Sequence, residues 1–116
     1  MSRVLDAILV KEMCSYPTTV NTNFTSDVVE IDNREDAFTV QLNYNNGSSV
    51  DMDLNLEYSS DGINFVVAKT QNITDDTGTH LWDIEDTGSR YLRVTITVNS
   101  GSIDVTRMLY SGRRRH

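Results

Sequence analysis

Residues 50 to 58, Val50-Asp51-Met52-Asp53-Leu54-Asn55-Leu56-Glu57-Tyr58, alternate apolar and polar side chains without a break and run into Ser59-Ser60-Asp61-Gly62. Side chains of an extended chain point to opposite faces in turn, so this run covers a core with Val50, Met52, Leu54, Leu56 and Tyr58 and wets its other face. The segment is a one-sided antiparallel strand, and the same pattern recurs through most of the chain. Val20 to Phe24 and Val28 to Ile31 read as short strands, with a polar turn over Asp32 to Asp36. Phe38, Val40, Leu42 and Tyr44 alternate up to Asn45-Asn46-Gly47-Ser48. There Asn-Gly supplies the positive φ angles of a tight hairpin turn, which returns the chain antiparallel as residues 50 to 58.

Asp61-Gly62 predicts a second tight turn, followed by a strand carrying Ile63, Phe65 and Val67. Thr70 to Gly78 is polar and acidic and reads as a loop, and Thr79 to Ile84 as a short strand. Asp86-Thr87-Gly88-Ser89 turns the chain into Arg90 to Val98, with Leu92, Val94, Ile96 and Val98 on one face and Arg93, Thr95 and Thr97 on the other. Asn99-Ser100-Gly101-Ser102 predicts another hairpin loop, and Ile103, Val105 and Leu109 a last strand. Seven to nine strands spaced by about 8 to 12 residues predict an all-β, antiparallel β-sandwich of jelly-roll or Ig-like type, with the topology left open.

A chain of 116 residues forms one domain and buries roughly two-thirds of its unfolded surface, enough to fold without metal or disulfide staples. The sandwich is expected over residues 18–110. Ahead of it, in residues 1–17, Val4, Leu5, Ile8, Leu9 and Met13 recur at near-helical spacing before Pro17, which predicts a short helix or docking arm. Residues 111–116 form a basic tail containing Arg113, Arg114 and Arg115. The net charge is −7, so the rest of the chain is more acidic still. An acidic body with one short basic cluster argues against a nucleic-acid-binding domain and fits a tail that meets an acidic protein surface.

No apolar run approaches the roughly 20 residues that span a bilayer, and Val4 to Val10 is too short and interrupted by Asp6 to serve as a cleaved export signal. Cys14 is the single cysteine, so no internal disulfide forms, and it reads as a small buried hydrophobe. With only His80 and His116 as imidazoles, the supply of bases for a nucleophile is thin. Asp75, Asp76, Asp83, Glu85 and Asp86 cluster between residues 72 and 86, but their spacing matches no calcium loop, and no metal or cofactor is assigned. Trp82 and Phe65 are candidate platforms for a sugar ring, Trp82 being the better core anchor. Three Asn-x-Ser/Thr triplets, at Asn23, Asn46 and Asn72, carry no modification in this reading, and no carboxylate pair stands out for glycoside hydrolysis. The chain does not read as an enzyme.

Two segments carry a family resemblance. Leu56-Glu57-Tyr58-Ser59-Ser60-Asp61-Gly62-Ile63-Asn64-Phe65, followed by Ser89-Arg90-Tyr91-Leu92-Arg93-Val94, is similar to a hairpin and strand of discoidin (coagulation-factor C-type) domains. The same pair resembles small β-sandwich virion proteins of tailed bacteriophages. The resemblance covers about residues 38–110 and implies structural roles, with Gly62 required by the turn and Tyr91 and Arg93 bracing neighbouring strands. The short chain, the absence of paired cysteines and the two terminal extensions favour the phage group.

That resemblance implies a non-enzymatic structural protein located in the virion and assembled in the host cytoplasm. The leading expectation is a capsid decoration or cement protein, with a neck or tail component next. Val4, Leu5, Ile8 and Leu9 would bind neighbouring major capsid or other virion proteins by apolar burial, and Arg113, Arg114 and Arg115 by charge, in a closed homo-oligomer. The competing expectation is a carbohydrate-binding module that meets surface glycans near Trp82 or Phe65. Neither nucleic acid nor membrane is an expected partner.

Overall fold

A computed structural model describes residues 6–31, 35–85 and 89–115. All regular structure among them is β: β1 (Asp6–Glu12), β2 (Thr18–Val20), β3 (Phe24–Thr25), β4 (Val29–Glu30), β5 (Glu35–Ser59), β6 (Val66–Ile73), β7 (Gly78–Glu85) and β8 (Tyr91–Arg115). β5 and β8, each 25 residues long, form the spine. They pair antiparallel from end to end, from Glu35 opposite Arg114 to Ser59 opposite Tyr91.

Neither strand reverses where a hairpin was expected. The segments 45–48 and 99–102 lie against each other inside the ribbon, with Asn45 opposite Asp104, Ser48 opposite Ser102 and Asp51 opposite Ser100. Asn46 (φ 54°), Ser49 (φ 52°) and Gly101 (φ 80°) do adopt positive φ, as the turn chemistry requires. Their geometry bends the two strands together as facing bulges instead of turning either strand back on itself. The backbones crowd at this bend: a Cβ on Gly101 would collide with the carbonyl oxygen of Ser48, and one on Gly47 would come within 2.6 Å of Asp76 Cα.

The bend divides the ribbon into two halves. Around residues 35–45 and 104–114, β1 and β2 line the far side of β8 and β7 the far side of β5. Around 51–59 and 91–100, β3 and β4 line β8, and β6 lines β5. Both halves turn their apolar faces to one core, Phe38, Val40, Leu42 and Met108 from the first and Met52, Leu54, Leu56, Leu92 and Ile96 from the second. This is an antiparallel β-sandwich, 20 Å along its thinnest axis, consistent with two layers about 10 Å apart plus their outer side chains.

Burial follows the strand period except where the ladder slips. Phe38 to Tyr44 and Val50 to Leu56 are buried at even positions, as expected. On β8 the buried set runs Leu92, Val94, Ile96, then Ile103 and Val105, then Met108 and Tyr110. A one-residue slip moves every following side chain to the other face. The first slip lies where Asp51 pairs with Ser100 but Met52 with Val98, leaving Asn99 extra, and the second where Asn43 pairs with Arg107 but Tyr44 with Val105, leaving Thr106 extra. Leu109, expected in the core, therefore cedes its place to Met108 and Tyr110.

Three further expectations change. Residues 6–12 form strand β1 in place of a short helix, paired with Leu109 to Arg115, so the N-terminal stretch and the basic tail share one ladder. Unpaired backbone groups along β8 outweigh the near-helical spacing of Ile8, Leu9 and Met13; Val4 and Leu5 lie outside the described residues. Ile63 and Phe65 sit in a connection, and the strand begins at Val66 and runs on through the expected loop to Ile73. β6 is exposed at every residue but Ile73, so it leaves no alternation to detect.

The remaining N-terminal chain is tied down along β8 even between its short strands. The Tyr16 hydroxyl accepts from Met108 N (2.6 Å) and donates to Met108 O. Asn23 Oδ1 accepts from Val98 N, and Ser26 exchanges two bonds with the backbone of Val94, each at 2.9 Å. Gly101→Ala is expected to destabilise the protein by at least about 2 kcal/mol, since it combines positive φ with a backbone collision. Gly62→Ala, at φ 77° but with its nearest neighbour at 3.4 Å, is expected to cost about 1 kcal/mol. Urea denaturation of both variants checks the order.

Candidate functional site

The two elements expected to dock lie side by side. Ile8 pairs with Arg113, Leu9 with Gly112, Ala7 with Arg114 and Asp6 with Arg115. The apolar stretch and the arginines thus occupy adjacent strands at one end of the β1–β8 ladder. Among the described residues β8 is the only strand that pairs with β1.

The motif pair of the sequence converges at the other end of the ribbon. Tyr58 is opposite Leu92 and Ser59 opposite Tyr91, so the hairpin and the Arg-Tyr strand are register partners. The 60–65 connection is built around Asp61. Asp61 Oδ1 accepts from Ile63 N and Asn64 N, both at 2.8 Å, and from Ser59 Oγ at 2.9 Å, while Oδ2 accepts from Asn64 Nδ2 at 2.9 Å. The two backbone donors, Asn64 N first, and then the side chains of Asn64 and Ser59 hold the Asp61 carboxyl well below the usual carboxylate range. Ser59 Oγ in turn accepts from Gly62 N at 2.9 Å. Gly62 sits over the Tyr91 ring, 3.4 Å from where its Cβ would be.

Arg93 joins this connection to the sheet. Its Nε donates to Glu57 Oε1 (2.8 Å), and its guanidinium lies 4.0 Å from the centre of the Phe65 ring. Glu57 Oε2 accepts from Thr95 Oγ1 at 2.8 Å. The Glu57 side chain is only 11% exposed, so this pair and the Thr95 bond satisfy a carboxylate largely removed from water. One face of Phe65 is therefore occupied by Arg93 rather than free to stack on a sugar.

Trp82 is likewise unavailable: it is 6% exposed, in the core, with the His80 ring edge-on at 4.6 Å. His80 Nε2 is buried without a hydrogen-bond partner, and burial pushes the imidazole pKa below its ordinary 6.5. Cys14 is half-buried against the core, and burial, then Asp27 and Glu12, push its thiol up. The acidic residues separate. Asp83 and Glu85 lie on β7, Asp75 and Asp76 lie in the connection before it, and Asp86 lies outside the described residues. Among the described residues no group of three or more His, Cys, Asp or Glu is placed to hold a metal.

Sequence reasoning missed the exposed apolar residues beside the 60–65 connection, Ile63 (80% exposed) and Val66 (72%). It had placed Ile63 in a strand and given neither residue a surface role. A hydrophobic residue just outside a patterned strand was the available signal.

No family model and no curated protein sequence matches the chain. Solved structures do resemble it. The enzymatically active domain of tailspike protein 4 of bacteriophage CBA120 matches 95% of this chain at 11% identity and a TM-score of 0.57, this chain spanning 18% of that one. The VP2 subviral particle of infectious bursal disease virus matches 95% at 11% identity and a TM-score of 0.52, over 37% of its own length. FLHE matches 97% at 12% identity and a TM-score of 0.53, over 100% of its length. At these identities the likeness is one of fold.

The Arg93 contacts and the buried imidazole are both open to measurement. Arg93→Ala, which strips Glu57 of its cation and uncovers Phe65, is expected to cost about 2 kcal/mol, read as a lower urea midpoint. In the native state His80 resists protonation, so below about pH 6.5 the unfolded chain takes up the proton first. Stability therefore falls as pH drops from 6.5 through the lower native value of His80. His80→Phe is expected to flatten that part of a plot of urea midpoint against pH, leaving intact the separate loss below about pH 3.8 that Asp61 and Asp104 cause.

Proposed function

We propose that this protein is a non-enzymatic structural component of a tailed-phage particle, a capsid decoration or cement protein that clamps neighbouring subunits through its terminal strands. A place in the neck or tail is the second position this role allows. The observation that carries the reading is the β1–β8 register. It brings the backbone of the apolar stretch around Ile8 and Leu9 beside that of Arg113, Arg114 and Arg115 at one end of the ladder, where they would form the docking edge.

The layers support it further. One half has the order β1/β2, β8, β5, β7 and the other β3/β4, β8, β5, β6. Two layers that share two long strands in this way would fit a jelly roll, an architecture common in capsid domains. The likeness to the tailspike domain and to VP2 agrees with such a role. Apolar burial would supply the contact area, the arginines would select an acidic neighbour, and closed symmetry would repeat the contact as a homo-oligomer.

Co-sedimentation with tailed-phage capsids tests the role. The native chain should bind saturably and more weakly as salt rises. The triple variant Arg113→Gln, Arg114→Gln, Arg115→Gln should keep its thermal transition and bind at least about tenfold more weakly. Deleting residues 1–16 is the wrong variant, because it removes β1 and the fully buried Met13. Full binding by the triple variant sinks the clamp, and failure of the native chain to bind sinks the role.

A further inference from the structure

A cleft of about 420 Å³ opens where β5 enters the 60–65 connection and β6 begins. Its lining includes Tyr58, Ser60, Asp61, Asn64, Val66 and Val67. The volume falls within the range of small-molecule sites.

The polar lining has unused capacity. The Tyr58 ring packs against the core, yet its hydroxyl makes no hydrogen bond among the described residues. Burial alone, with no opposing hydrogen bond, pushes the phenol above its ordinary pKa and keeps it neutral. The oxygen is not sealed from solvent, so the hydroxyl is an open donor and acceptor that a ligand can reach. Asp61 Oδ2 accepts a single bond, from Asn64 Nδ2, leaving the Asn64 Oδ1 acceptor free. The bonds around Asp61 fix these groups in advance, so a ligand would not bear the cost of ordering them.

The remaining chemistry narrows the ligand. Val66 and Val67 are 72% and 50% exposed, giving the polar groups an apolar neighbour. No lysine or arginine lines the cleft, and its one ionised group is the Asp61 carboxylate. An anion is therefore disfavoured, and a ligand that carries several hydroxyls beside a C–H face is favoured. We propose that this cleft binds one uncharged hexose unit of a glycan. Tyr58, Ser60, Asp61 and Asn64 bond to its hydroxyls, and its C–H face lies on Val66, the register partner of Tyr58. This site is independent of the terminal docking patch and of Trp82.

The test is an amide NMR titration of the full chain with methyl α-D-glucoside, methyl α-D-galactoside, N-acetyl-D-glucosamine and L-rhamnose, each to about 50 mM, the range in which single sugar units bind. At least one should give saturable shifts confined to residues 58–68 and Ser89. Tyr58→Phe keeps the ring in the core and should weaken that sugar about tenfold. Ser60→Ala, at the surface, gives the same comparison should Tyr58→Phe disturb the spectrum elsewhere. The proposal is overturned if no sugar of the four shifts these residues, if the shifts map elsewhere, or if the variant that retains the native spectrum binds as the native chain does.

Discussion

Backbone pairing between two long strands is the constraint on which the rest of this structure depends. Every amide and carbonyl removed from water needs a partner, and β8 supplies partners on both of its sides. On one side it pairs with β5, and on the other with β1, β2, β3 and β4 in turn. The N-terminal segment is held less by its own pattern than by the row of β8 groups it satisfies, including those met by Tyr16, Asn23 and Ser26. The facing bulges at 45–51 and 99–102 then fold the ribbon so that its two one-sided halves cover each other.

What the sequence disclosed was set by how directly burial is written into it. The runs 50–58 and 92–98 alternate cleanly because one face is dry, and they kept their expected faces as far as Leu56 and Ile96, beyond which Glu57 is buried and Tyr58 and Val98 are only partly so. The bend was hidden because Asn-Gly and Ser-Gly announce positive φ without fixing the direction in which the chain continues. A hairpin and a bulge use the same residues there, and only the distant partner strand distinguishes them. The slip at Thr106 is a purely tertiary event, which is why Leu109 read as core in place of Met108 and Tyr110. β6 left no trace of period 2 because neither of its faces is covered over most of its length.

The candidate surfaces were legible in pieces. The hairpin and the Arg-Tyr strand, far apart in the chain, were expected to brace the fold, and Gly62 over Tyr91 and Arg93 between Glu57 and Phe65 show how. The aromatic residues marked as sugar platforms are spent elsewhere, Trp82 in the core and Phe65 beneath a guanidinium. Ser60 and Asn64 look like ordinary turn residues in one dimension. They gain meaning only when the connection places them beside a tyrosine hydroxyl that has no hydrogen-bond partner among the described residues.

The dominance of β8 also has a meaning in time. Five of the other strands pair with it, and it comes after all of them in the chain. During synthesis β1 to β5 emerge before the strand that completes their hydrogen bonding, and β5 meets only β6 and β7 in the interval. Closing such distant pairings is slow compared with forming local ones. The nascent protein thus carries Val40, Leu42, Leu54 and Leu56 on a partly covered sheet until its last long strand is made. Its window for aggregation is set by the arrival of β8, not by the stability of the finished sandwich.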